Sequence, residues 1–174
     1  YAHPAGRGLI ALPLVDALYR WLRWRDARPL KVLSAATVGA LLVAAPLLVY
    51  WWQHPWLFTS HAEEVSVLGQ GAEALGRNAL KVAGMFNLAG DPVRWRNLPG
   101  RPVFDALTGL AFLLGLAIAA RAAIRGAAWA SLALIWLGVL LIPSIVTDAA
   151  PNFSRAIGVL PVACLLAALG MERV

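Results

Sequence analysis

Charge is what this 174-residue sequence has least of: Asp, Glu, Lys and Arg together make up 14%. A soluble domain carries about 25%, so that class is excluded first. Cysteine is nearly absent. Cys164 stands alone inside an apolar run, which rules out an intrachain disulfide and a thiolate metal cluster and reads as a small core residue. The three histidines, His3, His54 and His61, lie far apart without metal-ligand spacing. No metal site is expected from them, and they read as interfacial or hydrogen-bonding side chains. The motifs of soluble enzymes are missing as well: no G-x-x-x-x-G-K-S/T, no G-x-G-x-x-G, no H-E-x-x-H and no G-x-S-x-G. Tyr1 to Arg7 is polar and runs straight into apolar sequence, which is not a signal-peptide pattern. With no Met at its start, the chain is expected to be a piece of a longer membrane protein.

What fills the sequence is hydrocarbon. Hydrophobic residues make up 60%, and the mean hydropathy is +0.70. The expected fold is all-α: a polytopic transmembrane helix bundle of about five spans, in one membrane domain. The spans fall at about 8–22, 30–52, 103–120, 127–147 and 156–171. The first is short for a bilayer and holds Asp16 and Arg20, so a helix lying flat competes with a crossing. Leu30 to Trp52 is the clearest span, with Pro46 as a possible kink and Tyr50, Trp51 and Trp52 as an aromatic belt.

The net charge of +6 does not point to nucleic acid, because the arginines flank apolar runs. Arg20, Arg23, Arg25, Arg28 and Lys31 crowd into one linker, and the positive-inside rule makes that linker cytoplasmic. It reads as a topology anchor, with a lipid-headgroup site as the alternative. The outer segment 53–102 and the loop 148–155 then fall on the non-cytoplasmic side.

Within the outer segment, Val65, Leu68, Ala72, Leu75, Ala79, Val82 and Phe86 recur at three- and four-residue steps. That spacing predicts an amphipathic helix over 62–86, along the membrane interface or packed on the bundle. Ser60 and Glu63 have capping-box spacing, while Gly69, Gly71 and Gly76 weaken the helix. Next comes NLAGDPVRWRNLPGRPVFD, residues 87–105, with three arginines, three prolines and two glycines. Its charges and its Asp91-Pro92 and Pro99-Gly100 pairs exclude it from hydrocarbon. Asp105 stands where a helix dipole favours a carboxylate.

Arg7, Arg94, Arg96, Arg101 and Arg155 all map to the outer side, and guanidinium groups recognise phosphate by paired hydrogen bonds. These five are the candidate phosphate-binding residues, expected to share one outer cavity. Salt bridges between loops, to Asp91, Asp105 or Asp148, are the competing reading for each.

The order QHP, AEEVSVL, NLAGDP…NLPGRPVFDALTGLAFLLGL and LLIPSIVTDAAPNFSRAIGVLP resembles the C-terminal half of bacterial family 39-like glycosyltransferases. These belong to the GT-C superfamily, with the protein mannosyltransferases and lipid A aminoarabinose transferases as relatives. The opening YAHPAGR is similar to that family's Tyr-to-Arg segment at the outer end of a span. The resemblance covers nearly the whole chain. It implies an inverting enzyme of the bacterial inner membrane that passes sugar from a polyprenyl-phosphate donor to an acceptor on the non-cytoplasmic face. The lipid-linked sugar would be the co-substrate, with membrane lipids around the protein and no cofactor implied. The family's catalytic Asp sits in the first outer loop, upstream of Tyr1, so no catalytic residue carries over and 1–174 alone is expected to be inactive. Asp91 and Asp148 read as loop structure, and Glu63 and Glu64 are weaker candidates for a base. A transporter or flippase of a lipid-linked intermediate, or a non-enzymatic scaffold, are the alternatives.

Overall fold

Backbone N–H and C=O groups in hydrocarbon must bond to each other, so uninterrupted apolar runs become helices. In the computed structural model, residues 4–25, 28–54 and 67–173 are described, with the side chains of 4–10, 47, 51 and 68 outside the description. Among the described residues there is no β-strand. Helix α1 is Pro4–Trp24, α2 is Arg28–Gln53, α3 is Ala72–Gly84, α4 is Ala106–Ile124 and α5 is Ala128–Ile145. A four-residue helix, α6 (Phe153–Ala156), leads through a 3-10 turn (Ile157–Val159) into α7 (Leu160–Met171).

Among the described residues, four segments are long and apolar enough to cross a membrane: Arg28–Pro46, Ala106–Ile124, Ala128–Ile145 and Phe153–Met171. The chain is thus an all-α, polytopic helix bundle. The remaining expected span, 8–22, is helical but is not among the four. It carries Asp16 and Arg20, which pair with each other at 2.9 Å one helical turn apart.

The chain divides into two compact units, residues 1–12 with 67–174, and residues 13–66. In the second unit, α2 exposes most of its length, and His54 closes its end by stacking on Tyr50 at 4.4 Å. In the first unit, α4 packs on α7. Both helices start at the same end of the bundle, and α5 returns between those ends. Small residues let the α4 and α7 backbones touch: a Cβ on Gly115 would overlap the Leu166 carbonyl, and one on Gly170 would overlap the Ala111 carbonyl. Ala119 and Ala163 are fully buried nearby. Lipid tails are as apolar as leucine, so close backbone contact is what holds such helices together. Cys164, expected in the core, faces outward instead. The buried face of α7 is Val162, Ala163, Leu166, Ala167 and Gly170, and residue 164 lies off it.

The predicted 62–86 helix is shorter than its spacing suggested. Gly71, at φ 87°, separates a 3-10 turn (Leu68–Gln70) from α3. Ser60, Glu63, Glu64, His3 and His61 lie outside the described residues. The buried face of α3 is Ala74, Asn78 and Val82, so its centre is polar and Ala72 is exposed. The reason lies at the end of α5, whose last carbonyls have no partner within their own helix. Asn78 Nδ2 donates to the carbonyls of Ile145 at 2.9 Å and Thr147 at 2.7 Å, and Val67 N–H donates to that of Val146 at 2.9 Å. The helix therefore packs on the bundle. Asn78→Ala is expected to cost about 1–3 kcal/mol, since it strands buried acceptors. Thermal unfolding of the purified variant in detergent checks this, and a midpoint equal to that of the native sequence would refute it.

A candidate anion-binding cavity at one end of the bundle

The polar stretch 87–105 forms a closed loop. Its base is fastened to the end of α3 by Val103 N–H to Met85 O at 2.9 Å and Phe104 N–H to Phe86 O at 3.0 Å. Higher up, Gly90 N–H donates to Gly100 O, and Gly100 N–H donates to Asp91 O. Asn97 Nδ2 donates to the Arg101 carbonyl at 2.7 Å. Beneath the loop, Phe86 stacks on Phe112 at 4.7 Å, and Phe104 meets Phe112 at 5.4 Å. Asp105 caps α4: Oδ1 accepts from Leu107 N and Thr108 N, and Oδ2 accepts from the Thr108 hydroxyl. The Thr108 N–H, then its hydroxyl, holds the Asp105 carboxyl below the usual carboxylate range. Asp105 is thus occupied as a helix cap.

Asp91 is the centre of this end. Its side chain is fully buried. Oδ1 accepts from Val93 N at 2.9 Å, and Oδ2 accepts from Phe153 N at 2.9 Å. Arg96 Nη1 lies 3.1 Å from Oδ2, off the axis of a hydrogen bond, so the contact is an ion pair. One carboxylate therefore ties the loop to the start of the last apolar helical run. The competing salt-bridge reading is realised for Arg96 with Asp91, within one loop rather than between two. A carboxylate this enclosed has no free face for a substrate. Asp91 is structural.

The second loop is held similarly. Ser144 Oγ accepts from Asn152 N at 2.9 Å, and Asn152 Oδ1 accepts from Arg155 N at 3.2 Å, capping α6. Ser144, Thr147 and Asn152 are buried with Asp91. Ser144, Thr147 and Asn152 were not singled out from the sequence. Their signal would have been polar residues at the ends of two apolar runs.

Between the two loops lies a cavity of about 460 Å³. Phe86, Val103, Phe153, Ile157 and Leu160 form its apolar wall, and Arg96, Asn97, Arg101 and Ser154 its polar edge. Arg101 is exposed and makes no ion pair with a described residue. Arg155 does not line the cavity, but it is close enough to Asp148 and Arg96 to feel both charges. Arg94 is exposed and outside the cavity. Arg7 lies in α1, and its side chain is outside the description. Of the five predicted arginines the structure thus brings Arg96 and Arg101 to one cavity, sets Arg155 near Arg96 and leaves Arg94 apart. Among the described residues, no three His, Cys, Asp or Glu side chains converge to hold a metal ion.

An apolar slot with guanidinium on one edge suits an amphiphile with an anionic head. Comparisons with family models, curated proteins and solved structures each find no match to this chain.

Proposed function

We propose that this chain is part of a GT-C-like integral membrane glycosyltransferase, and that the cavity receives the phosphate and first isoprene units of a polyprenyl-phosphate sugar donor. The observation that carries this reading is the cavity's division into an apolar wall, from Phe86 to Leu160, and a cationic edge at Arg96 and Arg101. The resemblance in the NLPGRPVFDALTGL and SIVTDAAPNFSRAIG runs points the same way, since those runs build that edge and that wall. In this reading the cavity end is non-cytoplasmic, and the membrane is the bacterial inner membrane.

The reaction is an inverting displacement. An acceptor atom attacks the anomeric carbon, the carbon–oxygen bond to the lipid phosphate breaks, and the phosphate leaves with the electron pair. A base takes the acceptor's proton, and no residue of this chain is assigned that role. The chain's part is the leaving group. Arg101, with no carboxylate partner among the described residues, and Arg155, close to Arg96, offset the negative charge that grows on the phosphate. Arg96 is already paired with Asp91 and contributes position more than charge.

The test is binding of a short-chain polyprenyl phosphate and of the matching uncharged polyprenol to the purified protein in detergent. The phosphate is expected to bind more tightly, and Arg101→Gln to weaken it about ten-fold, the loss of one charge-assisted hydrogen bond. Equal affinity for the two lipids would overturn the donor site. Movement of the lipid-linked sugar between leaflets without sugar transfer would replace the transferase with a transporter.

A further inference from the structure

At the end of the bundle away from the 87–105 loop, a second cavity of about 530 Å³ opens where α4 and α7 finish and α5 begins. It is lined by Arg121, Arg125 and Arg173, with Ile118, Ala122 and Trp129. Among the described residues, these three guanidinium groups are the only charged side chains on its wall. None makes an ion pair or a side-chain hydrogen bond with a described residue.

A guanidinium at a helix C-terminus usually has a duty there, capping carbonyls. Here the backbone has taken that duty. Gly126, at φ 89°, lets Gly126 N–H donate to Ala123 O and Ala127 N–H donate to Ala122 O, both at 2.9 Å. This paired closure of a helix end needs a residue in the left-handed region, which glycine supplies. At the end of α7, Glu172 N–H donates to Ala168 O and Arg173 N–H to Gly170 O. The negative ends of two helix dipoles offset part of the positive charge. Among the described residues, none of these three cations is paired with a carboxylate.

We propose that this cavity binds the phosphate of an anionic phospholipid. Its apolar side decides between a lipid and a soluble phosphate. Ile118 and Ala122 of α4, both partly buried, give the cavity an apolar side, and Trp129 stands half-exposed beside it, as tryptophan does at a membrane interface. Basic hollows between spans hold lipid headgroups by this combination of charge and adjoining hydrocarbon. The site is separate from the donor cavity and does not depend on that reading.

The experiment is native mass spectrometry of the purified protein in micelles holding equal phosphatidylglycerol and phosphatidylcholine, with and without inorganic phosphate. Phosphatidylglycerol is expected to be retained in preference and not displaced by phosphate. Combined Arg121→Gln, Arg125→Gln and Arg173→Gln is expected to reduce that retention more than about ten-fold, from roughly 1 kcal/mol per basic residue. Arg125→Gln alone, less exposed to failures of folding, is expected to reduce it about five-fold by the same reasoning. Equal retention of the two lipids, or retention unchanged in Arg125→Gln, overturns the site. Displacement by inorganic phosphate overturns its assignment to a lipid.

Discussion

Gly170→Ala and Gly115→Ala are expected to lower the unfolding free energy by about 2–3 kcal/mol each, the upper part of the range for overpacking. The sign is the informative part. In an open helical position, glycine to alanine stabilises by about 1 kcal/mol, because alanine has less backbone freedom to lose. At Gly115 and Gly170 the added methyl would meet backbone rather than a movable side chain: the Leu166 carbonyl in one case, the Ala111 carbonyl in the other. Backbone in the middle of a helix cannot turn aside, so α4 and α7 must separate. Separation removes the short-range contact that takes the place of the hydrophobic effect between membrane helices. Gly138 in α5 is the control, since a Cβ there meets nothing within 4 Å. Thermal unfolding in mixed micelles, followed by circular dichroism, should show Gly138→Ala unchanged or more stable and the other two less stable. Three equal midpoints would sink the argument.

Asp91→Ala is expected to cost about 3–5 kcal/mol, the range for removing one partner of a buried ion pair. The substitution strands the Val93 and Phe153 N–H groups and leaves Arg96, whose side chain is 14% exposed, beside an apolar methyl. The loss has a location as well as a size. The loop should loosen from the start of α6, and trypsin should cut more rapidly after Arg94, which is exposed in the folded loop. Asp91→Asn keeps the shape and one acceptor oxygen, so its effect should be smaller. A loop as resistant to trypsin in Asp91→Ala as in the native sequence would remove Asp91 from the role given to it here.

The helices were legible in the sequence because each apolar run is long and its ends carry charge or proline. Asp105 was legible for a local reason: a carboxylate before an apolar run sits where free N–H groups gather. Asp91 was legible as a partner for arginine, but its burial and its bond to Phe153, like the role of Asn78, were not. Their partners, Phe153, Ile145 and Thr147, lie more than sixty positions away, and nothing near either residue indicates burial. Spacing alone placed the apolar stripe of α3 away from Asn78, because it counts hydrophobic residues and does not register acceptors on another helix that need a donor. The tight contact at Gly115 and Gly170 was hidden for a similar reason, since glycine in an apolar run resembles any other small residue. Of the candidate site, residue type and side of the membrane pointed to arginines. Only coordinates separate Arg101, which faces a cavity, from Arg96, which is already paired, and from Arg94, which lies apart.

The attachment of the loop through Asp91 bears on how the cavity can be filled. Loop and helix are fastened to each other at the Phe153 N–H, and the loop base is fastened to α3 at Met85 and Phe86. Floor and wall therefore keep a fixed distance, and the loop is no lid. Ile157 and Leu160 line the cavity and also face outward. On the proposed reading, a polyprenyl phosphate would enter sideways past them, head toward Arg101 and tail left in the bilayer. Its doorway would then lie in the plane of the membrane and need no hinge.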